Sequence, residues 1–229
     1  MLASATFVQP SFLFKEKYKL GLQLYTIRDA IAKDVRSAFK QISRFGYEDV
    51  ETYGFNKGYW GLEPKAAKRL LDENNLSTSA GHYDLNKYLL GSATADDMKQ
   101  YVDECIAGAY TLKQQYIVWP WLDPELRTIE KFKLVAATLN RIGEQIKNAG
   151  LQLAYHNHDF EFTEHNGQTG YDIILSETDP SLVKLEMDLY WVTYASKLKP
   201  YDWFVKQPGR YVSWHIKDMD KTTGTYIPL

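Results

Sequence analysis

From Tyr18 onward the chain alternates short apolar, β-branched or aromatic runs with stretches of helical period, and this alternation narrows the possible folds more than any other feature. The runs predict strands at 19–25, 48–53, 77–82, 116–119, 151–156, 183–188 and 211–216. Between most of them lie helices. Val35, Ala38, Phe39, Ile42 and Phe45 form one apolar face, opened by Asp34 as an N-cap and closed by Gly46. Pro64 suits the first turn of the next helix, ahead of Ala67, Leu70 and Leu71, and Thr94 with Asp97 makes a capping-box start for the third. Ile129, Phe132, Val135, Ala136, Leu139, Ile142 and Ile146 mark the longest helix, which Gly150 ends. Alternation of this kind without GxGxxG or a Walker A loop argues for parallel strands in a (β/α)8 TIM-type barrel rather than a dinucleotide-binding sheet. Only about seven strands precede Leu229, and a full barrel needs about 250 residues. The expectation is therefore an incomplete barrel over 18–229, its eighth βα unit lost through truncation, with open edges that a homodimer would cover.

Three polar residues each close a different run, roughly one βα repeat apart: His156 in LQLAYHNH, Asp188 in VKLEMD and His215 in YVSWHIKD. The C-terminal strand ends of a parallel barrel form a ring, so these side chains become neighbours around one mouth. Two imidazoles and a carboxylate meeting there make a divalent-metal site. Residues two apart on a strand share a face, so Asp188 brings Glu186 and Lys184, His156 brings His158, and His215 brings Ser213 and Lys217. A lone strand-end histidine is more often structural; the match across three strand ends is what points to metal. The YHNHDFEF stretch also holds Asp159 and Glu161, and Glu161 is open to three roles: ligand, substrate contact or neutraliser of a histidine.

In the first half of the chain the strand ends carry Gln23 and Tyr25, then Glu51, then His82 with Asp84, then Trp119 with Trp121. Glu51 and His82 are candidates to bind substrate hydroxyls, or are loop and salt-bridge residues. Arg28 either clamps an anionic group or caps the first helix. A formal charge of −2 gives no footprint for polyanions, which argues against nucleic acid and for a small neutral or polar ligand. The 17 Tyr and 6 Trp include several at predicted strand ends, where they serve either as flat walls of a sugar site or as half-buried packing residues. Cys105 falls on the stripe Met98, Tyr101, Val102, Cys105, Ile106, Ala109, a core position, and a single cysteine excludes an intrachain disulfide. No run approaches the roughly 18 apolar residues of a membrane span. The tail 1–17, beginning MLASATFVQPSFLF, reads either as the remnant of a secretory signal, implying an exported or periplasmic protein, or as a plain tail on a cytoplasmic one.

LGLQLYTIRD, GHYD, YHNHDFEF, EMDLYW and HIKD together resemble the sugar phosphate isomerase/epimerase family, the xylose-isomerase-like TIM barrels, over about Lys19 to Asp220. The resemblance implies one divalent cation held at the ends of strands five to eight. By position His156 stands where many relatives have Glu, Asp188 and His215 follow on strands six and seven, and the strand-eight Glu has no counterpart. In the family that Glu and the strand-five carboxylate usually act as acid and base. The implied chemistry is removal of a proton beside the carbonyl of a ketose or keto-sugar, giving an enediolate and then an isomer or epimer; loss of a β-hydroxyl instead makes a dehydratase. His158 and Glu161 are the candidates for acid and base, Lys217 for steadying negative charge on oxygen, and Trp191 for walling the sugar. Two His and one Asp suit Mn, Co, Zn or Fe better than Mg alone. Asp218 is a weaker candidate to support a ligand by hydrogen bonding. Three alternatives stand beside this: a non-haem iron oxygenase, which usually has another scaffold; an apurinic endonuclease, which needs more ligands and a basic face; and a sugar-binding protein without turnover.

Overall fold

The alternation of apolar runs becomes a parallel sheet because each run is followed by an amphipathic segment that returns the chain to the same edge. A computed structural model describes residues 19–227. The tail 1–17, with its signal-remnant reading, and Pro228 and Leu229 lie outside the described residues. In chain order the elements are β1 (Gly21–Gln23), α1 (Arg28–Lys33), α2 (Val35–Arg44), β2 (Asp49–Thr52), α3 (Pro64–Glu73), β3 (Ser77–His82), α4 (Ala95–Leu112), β4 (Tyr116–Trp119), α5 (Ile129–Asn148) and β5 (Gln152–His156). There follow the short strands β6 (Glu164–His165) and β7 (Gln168–Thr169), then α6 (Gly170–Glu177), β8 (Val183–Asp188), α7 (Leu189–Ala195), α8 (Pro200–Lys206), β9 (Tyr211–His215), β10 (Asp218–Met219) and β11 (Tyr226–Ile227).

Seven strands pair in the order β1-β2-β3-β4-β5-β8-β9, all parallel, and curl into a nearly closed barrel of the TIM type with helices around it. Among the described residues no pairing joins β1 to β9. The small pairs β6–β7 and β10–β11 are antiparallel and lie outside this sheet. No helix among the described residues is long and apolar enough to cross a membrane.

Capping follows the sequence closely. The Asp34 side chain accepts from Ser37 N, Pro64 opens α3, and Thr94 and Asp97 cap α4 reciprocally. The predicted first strand is shorter than 19–25 because the Gln23 side chain accepts the Tyr25 amide and starts a tight turn over Leu24–Ile27. Arg28 closes that turn: its Nη1 donates to Tyr25 O at 3.1 Å and its guanidinium lies over the Tyr25 ring. The helices α6, α7 and α8 are short and lack the long apolar period that marks α4 and α5.

One large apolar core fills the space between sheet and helices, and Cys105 is buried in it. Inside the barrel the packing is different. Ala80, Val118 and Ala154, from β3, β4 and β5, form a small apolar layer of their own. Beneath it Asp49 accepts from the Ser77 and Ser79 hydroxyls, both at 2.5 Å; above it lie the polar strand ends. Two register shifts tune this stacking: Asp49 pairs with Ser77 but Glu51 with Ala80, and Leu185 pairs with Tyr211 but Glu186 with Ser213.

Behind β3 a buried polar plug fixes the strand end. Gln114 Nε2 donates to Thr52 Oγ1, Thr78 Oγ1 and Ala80 O, and its Oε1 accepts from Tyr83 OH at 2.5 Å. Gly81 leaves room for that amide, since a Cβ there would fall 2.3 Å from Thr52 Oγ1 and 2.8 Å from Gln114 Nε2. Gly81→Ala is expected to destabilise the fold by about 1–3 kcal/mol through overpacking. Urea unfolding checks this, and an unchanged midpoint would show that the plug yields freely.

Candidate metal centre

A strand-end imidazole inside a barrel has two nitrogens to satisfy, and in His156 and His215 both face acids. His156 ends β5: its Nδ1 is 3.0 Å from Glu186 Oε1 and its Nε2 is 3.8 Å from Asp188 Oδ2. His215 ends β9: its Nε2 is 2.7 Å from Glu51 Oε2 and 3.2 Å from Glu186 Oε1, while its Nδ1 is 3.8 Å from Asp188 Oδ2. His82, at the end of β3, sets its Nε2 3.0 Å from Glu186 Oε1 and 3.1 Å from Glu51 Oε2, with Gln23 Nε2 3.1 Å from its Nδ1. The His156 and His215 ring centroids are 4.6 Å apart.

The strand-end residues His156, Asp188 and His215 thus come to one mouth. Asp188 is fully buried. Its Oδ1 accepts from the Tyr190 and Trp191 amides, so the start of α7 holds the carboxylate still. Its Oδ2 accepts from Lys217 Nζ at 2.5 Å. Asn157 Oδ1 accepts the Asp188 amide, tying β5 to β8 just below the rim.

Glu186 is the residue that pattern reasoning undervalued. It shares the inward face with Asp188, as the period of two requires, and its Oε1 meets nitrogens of His82, His156 and His215 while its Oε2 accepts from Ser213 Oγ at 2.5 Å. Its position two residues before Asp188 was the available signal. Glu51 and His82, candidates for substrate hydroxyls, face into this same layer. His82, His156, Glu186 and His215 each offer one ligand atom, all within 4.8 Å of one another.

The remaining candidates form the rim. His158 stacks on Phe160 at 5.6 Å and lies 5.8 Å from the Trp191 ring, and Lys217 Nζ is 5.9 Å from that ring. The buried Nδ1 of His158 has no hydrogen-bond partner among the described residues. Glu161 lies on the other side of β5, fully buried, where its Oε1 accepts from Tyr155 OH at 2.7 Å and its Oε2 from the His158 amide at 2.8 Å. Asp218 is exposed in β10 and accepts from its neighbour's amide, away from the imidazoles.

Electrostatics divide these groups. Burial by itself would raise Glu51, yet His82 and His215 hold its carboxyl well below the usual range. Burial and the Glu51 charge also act to raise Glu186, and the three imidazoles overcome them, leaving it at about 2. Burial opposes protonation of His82, but Glu51 and Glu186 lift it to about 10; His215 is raised against burial by the same two acids. His156 is pushed well below its ordinary value by burial and by His215, and His158 falls to about 3 through burial and the Lys217 charge. Burial drives Glu161 up to about 7 against its two hydrogen-bond donors.

A divalent cation fits this donor set. Imidazole nitrogens and carboxylate oxygens suit a borderline metal. Among the described residues one buried oxygen, Glu51 Oε1, has no hydrogen-bond donor. The 3.8 Å from Asp188 Oδ2 to each of two imidazole nitrogens is too long for a hydrogen bond. It is also short enough to be spanned by two metal–ligand bonds of about 2.1 Å.

A parallel barrel with its polar groups gathered at the C-terminal strand ends is the architecture of the TIM-barrel enzymes. Residues 39–227 match the model of the xylose isomerase-like TIM barrel family, and the chain belongs to that family. Among solved structures it is similar to a sugar phosphate isomerase/epimerase from Parabacteroides distasonis, at 25% identity and a TM-score of 0.78, covering 91% of this chain and 83% of that one. A second sugar phosphate isomerase/epimerase from the same organism is 26% identical, with a TM-score of 0.76 and coverage of 90% and 78%. A xylose isomerase-like TIM barrel protein from Mycobacterium smegmatis, in complex with magnesium, shares the fold at 14% identity and a TM-score of 0.64, with 92% and 79% covered. A search of curated proteins finds no match.

Glu161 gives a pH test of this layout. Its folded-state value of about 7 lies above its unfolded one, so the folded protein holds the proton more tightly. Stability from this group is therefore greatest below about 4.5 and declines as pH rises towards 7, by on the order of 3 kcal/mol. Glu161→Gln should remove that decline, so its melting temperature relative to wild type should climb between about pH 5 and about pH 8. A constant offset across that range would show that Glu161 is already ionised when folded.

Proposed function

We propose that this protein is a divalent-metal-dependent sugar isomerase or epimerase that removes the proton beside the carbonyl of a ketose or keto-sugar. The observation that carries the proposal is the convergence of His156 Nε2, His215 Nδ1 and Asp188 Oδ2 at the mouth, with an acid behind the other nitrogen of each ring. Similarity to two sugar phosphate isomerase/epimerase structures supports the same class. His156, Asp188 and His215 are the residues that would hold the cation, one of Mn, Co, Zn or Mg. When bound, it withdraws charge from the substrate carbonyl and an adjacent hydroxyl.

The chain's own groups do the rest. His158, at the rim beside Trp191, is the base for the C–H proton, and burial together with the Lys217 charge keeps its ring neutral. The C–H electron pair becomes the double bond of an enediolate, and the Lys217 ammonium, beside Asp188 Oδ2, faces the oxygen that gains charge. Return of the proton to the neighbouring carbon gives an isomer; return to the opposite face gives an epimer. Glu161 holds His158 by its backbone amide and so acts through it. Trp191 walls the sugar between His158 and Lys217, while Glu51 and His82, expected as substrate contacts or salt-bridge residues, pair with each other and with Glu186 and His215.

Two measurements test this together. Protein reconstituted with Mn or Zn should carry about one cation per chain, and metal-loaded enzyme should incorporate deuterium from heavy water into a substrate drawn from a panel of ketoses and keto-sugars. Asp188→Asn should lower that exchange about a hundredfold or more. Less than roughly a tenth of a cation per chain after reconstitution would overturn the metal assignment. Sugar-dependent thermal stabilisation without any exchange would replace turnover by binding alone.

A further inference from the structure

Glu186 is 2% exposed and lies behind the imidazoles, and nothing in the proposed chemistry requires a second carboxylate on β8. Its surroundings show what it does. An ionised carboxylate only accepts hydrogen bonds, so every nitrogen held against it must carry a hydrogen. Among the described residues His156 Nδ1 has Glu186 as its one partner, at 3.0 Å. His215 Nε2 is shared: Glu51 Oε2 is nearer at 2.7 Å and Glu186 Oε1 stands at 3.2 Å. The Ser213 hydroxyl, donating to Glu186 Oε2 at 2.5 Å, fixes the carboxylate's own rotation.

We infer that Glu186 is the positioning residue of the centre, fixing the hydrogen of His156 on Nδ1 so that Nε2 is the nitrogen turned to the cation. The inference rests on the cation reading given above and adds an asymmetry to it. His156 would bind through Nε2 and His215 through Nδ1, the first ring set by Glu186 and the second mainly by Glu51. Such a carboxylate behind a metal-bound imidazole commonly changes metal affinity by about 10–100-fold when removed.

The test uses the full chain loaded with Zn and long-range nitrogen–proton NMR, which reports for each of the 5 histidines which ring nitrogen carries hydrogen and which carries metal. The expected result is His156 with hydrogen on Nδ1 and zinc on Nε2. Glu186→Gln should weaken zinc binding by about 10–100-fold and disturb the His156 signals while leaving those of His215 in place. Glu51→Gln should do the converse. A general loss of packing would move both rings alike, and that result would overturn the positioning role. Zinc bound through His156 Nδ1, or unchanged affinity in Glu186→Gln, would also overturn it while leaving the cation reading intact. Failure of wild type to bind zinc at all would remove the cation reading and this inference with it. Should Glu186→Gln fail to fold, the wild-type spectrum still decides which nitrogen is metallated, and Ser213→Ala, which frees the carboxylate to rotate, should weaken zinc binding severalfold.

Discussion

Two carboxylates, Glu51 and Glu186, sit at the centre of the barrel and can stay ionised there only because three imidazoles face them. A lone buried charge costs several kcal/mol, and a buried pair gains on that cost only when its geometry is good and its remaining lone pairs are satisfied. The arrangement meets that condition by sharing. Glu186 serves three rings and a hydroxyl, and His82 and His215 each bridge both acids. Removing one acid leaves its nearest ring without that partner in the low-dielectric interior, so each ring depends first on its own acid: His156 on Glu186 and His215 on Glu51. The layer's position is set from outside as well as inside: Gln114 and its hydroxyl partners hold the end of β3, and Asn157 holds β5 against β8.

Much of the architecture was legible in the sequence because local signals and global fold agree. The strands at Tyr116–Trp119 and Val183–Asp188 carry apolar or alternating runs bounded by turn residues, and the caps at Asp34 and Thr94 depend on neighbours a few positions away. The three strand-end residues were legible for a related reason: a period of two assigns a face, and a parallel barrel brings equal ends of its strands together. What the sequence did not carry was register. The shift between Asp49/Glu51 on β2 and Ser77/Ala80 on β3 is a matter of pairing between strands, and so is the shift that sets Glu186 opposite Ser213. Without it, Glu51 and His82 read as substrate contacts or as loop and salt-bridge residues, with nothing to name His215 and Glu186 as their partners.

Glu161 shows a different limit. It lies in the densest polar stretch of the chain, close in sequence to His156 and His158, and sequence proximity suggests the same pocket. The strand places Tyr155 and His156 on opposite faces, however, and the turn after β5 carries Glu161 back to the Tyr155 side. One hydrogen bond across that turn, to the His158 amide, is what links it to the mouth.

The mouth is also unequal around its circumference, and that inequality follows from the layering. Ala80, Val118 and Ala154 are small, so the layer above them has room for long side chains to reach the barrel axis. From the β1–β3 side Gln23, Glu51 and His82 reach inward and are spent on each other and on His215. From the β5–β9 side the chain continues past the strand ends, where Lys217 Nζ donates to Asp188 Oδ2 and the Trp191 ring lies near both His158 and Lys217. The β1–β3 half therefore supplies Glu51, which orients His215 from within, while the β5–β9 half supplies Glu186 behind His156 and also the groups a small molecule would meet. A water-poor floor beneath both strengthens every charge contact above it, which is why small apolar residues in the middle of the barrel bear on its chemistry as directly as the polar ones at its rim.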